Sequence, residues 1–143
     1  MAVLKDFAAD QELQTPIGYR APELCQQSGA HTCISNIWCI GCTMAEVVLG
    51  RPLFDMEDDE PIATFLDRVR SIVHPEGDLN PGPLHGRLLD VPHRFNELGA
   101  NLIQSLLVYE PRGRLTVQDA IGHPYFSDFD PDMLCEYNNA SDK

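Results

Sequence analysis

Ser35-Asn36-Ile37-Trp38-Cys39-Ile40-Gly41-Cys42-Thr43-Met44-Ala45-Glu46-Val47-Val48-Leu49 is the stretch whose periodicity sets the architecture of the chain. Ile37, Ile40, Met44, Val47 and Val48 recur at three- and four-residue intervals and share one face of a helix. Trp38, Cys42, Ala45 and Leu49 form a second stripe on another face. A helix that is apolar on most of its circumference is buried on most of its circumference, so the spacing predicts a central helix around which the domain packs. Ser35 or Asn36 can cap its start, and Gly50 followed by Pro52 can end it.

Working outward, residues 61–73 carry Ile62, Phe65, Leu66, Val69, Ile72 and Val73 at mixed three and four spacing, with Asp67, Arg68 and Arg70 between them. That pattern predicts an amphipathic surface helix. Leu98, Leu102, Ile103, Leu106 and Leu107 mark another, stopped by Pro111. Residues 116–121 open with a Thr-x-x-Asp cap and close at Gly122 and Pro124, which predicts a further short helix, both of these facing the core. Between them, His74 to His93 holds four prolines and three glycines and reads as irregular loop. No alternating strand pattern of useful length occurs, so the fold class is mainly α with long loops. Residues 127–143 form an acidic tail, expected to be mobile.

The chain has 143 residues, 43% of them hydrophobic, enough for one domain with a real core and too few for two. Its formal net charge of −12 repels phosphate backbones and anionic lipid, which argues against nucleic acid or membrane as a partner. There is no secretory signal and no apolar run of the ~18 residues needed to span a membrane, so an intracellular location, cytoplasmic or nuclear, is expected. The five cysteines, Cys25, Cys33, Cys39, Cys42 and Cys135, are odd in number and mostly in apolar surroundings, as reduced, buried thiols would be. Cys39-x-x-Cys42 lacks the second pair that a zinc site would need.

Four short motifs carry a family resemblance. Thr15-Pro16-Ile17-Gly18-Tyr19-Arg20-Ala21-Pro22-Glu23 resembles the end of a protein kinase activation segment, in the wording typical of the CMGC group. Asn36-Ile37-Trp38-Cys39-Ile40-Gly41-Cys42 is similar to the Asp-x-Trp-Ser-x-Gly-Cys start of that group's central helix, and Gly50-Arg51-Pro52-Leu53-Phe54 to the loop that ends it. Glu110-Pro111-Arg112-Gly113-Arg114 and His123-Pro124-Tyr125-Phe126 resemble the Asp-Pro-x-x-Arg and His-Pro-x-Phe signatures near the end of the domain. Their order and spacing identify residues 1–126 as part of a kinase domain, the C-terminal lobe with its buried central helix. Within the group the wording looks most like SR-protein kinases and their fungal relatives, with cyclin-dependent-kinase-like members second.

The resemblance implies roles for individual residues. Thr15, Tyr19 and Arg20 would face the protein substrate, Arg20 near the pocket for the residue that follows the phosphoacceptor. Glu23 and Arg114 would form a largely buried pair, for which a bidentate arginine has the right geometry. Asn36, Trp38 and Gly41 would anchor the central helix, although Asn36 replaces the usual Asp and so loses a charge. Glu46 lies where some kinases hold basic substrate residues, but a mid-helix Glu is read here as structural and left out of the site.

Phosphoryl transfer needs a phosphate cradle, a Lys, a catalytic Asp and carboxylate or amide ligands for Mg²⁺. The sequence shows no Gly-rich loop, no Val-Ala-x-Lys strand and no His-Arg-Asp run. Asp6-Phe7-Ala8 resembles the Asp-Phe-Gly metal-binding motif, so Asp6 is either a metal ligand or an exposed Asp near the N-terminus. The resemblance implies ATP and Mg²⁺ for the complete family domain, and no cofactor for this chain alone. Two functions follow from it: part of a Ser/Thr kinase that needs further segments for catalysis, or a non-catalytic module that binds a protein substrate or a kinase partner.

Overall fold

The computed structural model describes residues 15–26, 31–74, 82–92 and 95–129. Six α-helices occur among them: α1 Pro22–Cys25, α2 Cys33–Leu49, α3 Ile62–Val73, α4 Pro83–Leu89, α5 Glu97–Leu106 and α6 Val117–Ile121. Three-residue 3₁₀ turns stand at Ile17–Tyr19, Pro111–Gly113 and Pro124–Phe126, and no strand occurs among the described residues.

The central helix is α2, and its start differs from the expectation of a Ser35 or Asn36 cap. Thr32 is the N-cap: its hydroxyl accepts from the Ser35 N–H at 3.4 Å, and Ser35 Oγ accepts from the Thr32 N–H at 2.9 Å. Ser35 is therefore the return half of a capping box, three residues inside the cap. The helix ends as expected at Gly50, whose φ of 70° is the left-handed conformation that glycine adopts without a Cβ penalty.

Trp38, Cys42 and Ala45 are buried, and the Trp38 ring stacks on Phe54 at 5.8 Å between centroids. α5 runs against the same helix, and Gly41 sets how closely. A Cβ on Gly41 would stand 2.8 Å from Leu107 Cδ2, inside van der Waals contact. Ile37, Leu102 and Leu106 make a second, smaller cluster between α2 and α5. The burial of α2 is less complete than its composition predicts, because Ile40 and Val47 remain exposed.

α3 is amphipathic as expected: Pro61 is its N-cap, Phe65, Leu66, Val69 and Ile72 are buried, and Asp67 and Arg70 face outward. The reading of His74 to His93 as irregular is corrected by α4. Pro83 stands in the first turn, where its missing N–H would have no helical partner, and Gly86 lies on the exposed side. Leu84 and Leu88, four residues apart, carry the burial, each worth about 1.5–3 kcal/mol relative to exposure. Residues 75–81 and 93–94 of that interval lie outside the described residues.

α5 is capped by Asn96, whose side chain accepts from the Gly99 N–H at 2.7 Å. α6 has the expected Thr116 cap, accepting from the Asp119 N–H at 3.2 Å. It does not face the core as expected: Val117 and Ile121 are exposed, and only Ala120 of this helix packs on the smaller cluster. With five residues it is too short to turn an apolar stripe inward. Of the cysteines, Cys25 and Cys42 are buried and Cys39 is half-buried, whereas Cys33 is exposed in the first turn of α2. Cys135 and the rest of the tail beyond residue 129 lie outside the described residues, and residues 127–129 are exposed. No helix among the described residues is long and apolar enough to cross a membrane.

Candidate functional site

Residues 15–25 lie alongside α2 as a single tied segment. Pro16 has an extended ψ of 142°, and the 3₁₀ turn that follows is closed by Tyr19 N–H donating to Pro16 O at 3.0 Å and Arg20 N–H to Ile17 O at 3.1 Å. The Arg20 guanidinium folds back, Nη2 donating to Thr15 O at 2.8 Å. Thr15, Tyr19 and Arg20 thereby come together, all half-buried.

Two contacts press this turn onto the core. Gly18 sits where a Cβ would be only 2.4 Å from Phe54 O, so no side chain fits at that position. The Cys39 thiol donates to Tyr19 O at 3.1 Å, and burial pushes that thiol above its ordinary pKa. Burial raises Cys42 further, so neither thiol of the Cys39-x-x-Cys42 pair behaves as a low-pKa nucleophile. The Tyr19 phenol donates to Glu46 Oε2. That hydrogen bond, with burial and the carboxylate charge acting the same way, raises the Tyr19 pKa above the ordinary value.

Glu46 and Phe54 are the positions that sequence reasoning left out of the site. Glu46 carries a signal, being the one charged residue of the 35–49 run and standing at a position the resemblance marks, but a mid-helix Glu reads as structural. Nothing in the sequence pairs it with a tyrosine 27 positions away.

Behind the segment, Arg114 holds α1. Its Nη1 and Nη2 donate to the two Glu23 carboxylate oxygens at 2.7 Å each. The remaining guanidinium hydrogens go to Val108 O (2.7 Å, from Nε), Ile34 O (3.2 Å, from Nη1) and Tyr109 O (3.0 Å, from Nη2). All five donors of the side chain are used, which is what makes so deep a charge tolerable. Trp38 lies beneath it at 5.0 Å from Cζ to ring centroid, within cation–π range. Trp38 and Gly41 are buried in α2, while Asn36 is exposed and does not join the cluster.

No group of three or more His, Cys, Asp or Glu side chains among the described residues could hold an ion. Asp6, the one sequence candidate, lies outside the described residues. What the arrangement offers is a segment tied to α2 and to the Phe54 loop by the contacts above.

Comparison with known proteins gives a consistent picture. The protein kinase domain family matches residues 4–126. Glycogen synthase kinase 1 of Pyricularia oryzae is 34% identical over 122 residues, covering 77% of this chain and 30% of that protein. Mitogen-activated protein kinase 13 of Oryza sativa subsp. indica is 34% identical over 124 residues, 76% of this chain and 24% of that protein. A probable cyclin-dependent kinase 8 of Dictyostelium discoideum is 30% identical over 134 residues, 78% and 35% respectively. The solved MAP kinase LmaMPK10 from Leishmania major superposes with a TM-score of 0.66 at 22% identity, over 82% of this chain and 39% of that one, which shows the shared fold. The chain thus spans about a third or less of these curated relatives, all of CMGC types. These relatives lend no support to the SR-protein-kinase likeness over the cyclin-dependent one.

Proposed function

Because the chain belongs to the protein kinase domain family, with CMGC-group relatives, we propose that it is the substrate-facing portion of a Ser/Thr kinase's helical lobe. Residues 1–126 are then the partial kinase domain and 127–143 an acidic extension. The observation that carries this reading is the five-bond seat of Arg114, which clamps α1 and with it the Thr15 to Glu23 segment onto α2. A ledge so fixed can present Thr15, Tyr19 and Arg20 to a peptide without reorganising, and preorganisation is what a docking surface needs.

In the family, ATP supplies the phosphoryl group and Mg²⁺ its charge neutralisation. On this reading the chain alone binds protein and does not transfer phosphate, since its sequence shows no Gly-rich loop and no His-Arg-Asp run. The same lack gives weight to the second reading, a non-catalytic module that engages substrates or kinase partners.

A Ser-Pro-containing peptide titrated into isotope-labelled protein tests the binding claim. Amide shifts should centre on Tyr19 and Arg20 and weaken in Arg20→Ala. Shifts scattered over α5 and α6 instead, or none, would remove the segment from the binding surface. Phosphate transfer by the purified chain with ATP and Mg²⁺ would overturn the incompleteness.

A further inference from the structure

Ile40 and Met44 of α2, Leu106 of α5, Val117 and Ile121 of α6, and Phe126 wall a groove of about 180 Å³ with no polar surface. Water inside it would find no hydrogen-bonding partner on those walls, so water is a poor occupant. Two expectations fail together here: Ile40 on the central helix and Val117 and Ile121 on α6 are exposed where their patterns call for burial. Val47, seven residues beyond Ile40, is exposed as well and continues the apolar strip along α2 for about 10 Å.

The described chain ends beside this groove. Phe126 is one of its walls, and the backbone coils there: Phe126 N–H donates to His123 O at 2.9 Å, Ser127 N–H to Pro124 O at 3.1 Å and Phe129 N–H to Phe126 O at 3.0 Å. Phe129, three residues past the wall, is exposed. Residues 130–143 follow directly and so start within reach of the groove.

The sequence of that tail carries a matching pattern. Phe126, Phe129, Met133 and Tyr137 succeed one another at three, four and four residues, the period of one helix face. Asp130-Pro131 reads as a helix start, a capping side chain followed by the residue best suited to the first helical position. Phe129 and Leu134 stand at the staple positions on either side of it. Asp132 and Glu136 fall outside the apolar face of such a helix, where their charges keep their water. The acidic composition that predicts a mobile end thus conceals an apolar face in need of cover.

We propose that this groove is a docking surface for the chain's own tail, with residues 130–137 laid in it and Met133 and Leu134 seated against Ile40, Val117 and Ile121. The proposal is independent of the substrate-facing reading of residues 15–23. The test uses the full chain carrying Cys33→Ser, which removes the exposed thiol among the described residues and leaves Cys135 for a nitroxide label. With isotope-labelled Ile, Leu and Val methyl groups, the nitroxide should broaden Ile40, Val117 and Ile121 strongly and Val69 and Ile72 of α3 weakly. Met133→Asp combined with Leu134→Asp should abolish that selectivity, leave the α3 signals in place, and raise the fluorescence of a dye that binds apolar surface several-fold. Both substitutions lie outside the described core, so the unmoved α3 signals report that the fold is intact. Equal broadening at all five residues, or selective broadening that survives the double substitution, would overturn the proposal. Broadening in a mixture of isotope-labelled chains without nitroxide and nitroxide-bearing chains without isotope would give the groove to a second copy, and would overturn it too.

Discussion

Arg114 lies face-on over Trp38, 5.0 Å from Cζ to the ring centroid, while its outer edge grips Glu23 through two bonds of 2.7 Å. One side chain thus joins the buried aromatic of the central helix to the helix that ends the Thr15 to Glu23 segment. The guanidinium is fully enclosed, and the carboxylate keeps 19% of its side-chain surface exposed.

Removing either partner leaves the other charge stranded, so Glu23→Ala and Arg114→Ala should each cost ~3–5 kcal/mol. The double variant should cost less than the sum by more than ~1 kcal/mol, since the two share one interaction. Glu23→Gln should be milder than Glu23→Ala, because the amide still accepts a hydrogen bond. Urea denaturation of the four proteins reads this directly; additive, sub-kilocalorie changes would mean the pair does not hold the fold.

Gly41→Ala should destabilise by ~1–3 kcal/mol through overpacking against Leu107, even though alanine improves helix propensity by about 1 kcal/mol. Trimming the obstacle with Leu107→Val in the same protein should recover part of the loss. A thermal melt of Gly41→Ala at or above the parent's midpoint would show that α5 can step back from α2.

Tyr19 should be among the last of the four tyrosines to lose its proton. Its hydrogen bond to Glu46 stabilises the neutral phenol, so the contribution is complete below the ordinary value of about 10 and is lost as pH rises through the raised one. In an alkaline titration followed by phenolate absorbance, Tyr19→Phe should delete a late-titrating component, and Glu46→Gln should move it earlier. Loss of an early component instead would place the phenol away from Glu46.

ATP with Mg²⁺ should leave the melting temperature of the chain within roughly 1 °C of its value without ligand, because nothing that fails to bind the native state can stabilise it. A rise of several degrees that disappears in Asp6→Ala would assign that residue to a metal site.

How far the sequence reaches depends on whether a residue's partner is local. α2 is legible because burial on most sides leaves an apolar run, and α3 because its apolar residues keep a helical period. α4 is missed because Pro83 and Gly86 are weighed as breakers, whereas the pair Leu84 and Leu88 decides the matter through burial that only the folded chain reveals. Ser35 and Asn36 read as caps for a similar reason: the sequence offers several capping residues, and the extended backbone at Thr32, with helix from Cys33 on, gives the role to Thr32. Glu46 and Tyr19 meet across 27 positions with no motif to announce it. Glu23 and Arg114 are as distant in kind, and only the family wording brings them to attention.

The interval between Glu23 and Arg114 spans 91 positions and encloses α2, α3, α4 and α5. Closing a loop of that length carries an entropic cost that local helix contacts do not, so we expect the clasp to form after the helices it encloses have packed. Contacts made after the folding barrier govern the rate of escape from the native state and leave the rate of entry alone. In a chevron plot, loss of the clasp should steepen nothing on the refolding arm and raise the unfolding arm throughout. Release of the Thr15 to Glu23 segment then requires losing the clasp together with the Tyr19–Glu46 and Cys39–Tyr19 hydrogen bonds and the burial of Ala21, Leu24 and Cys25 in the core.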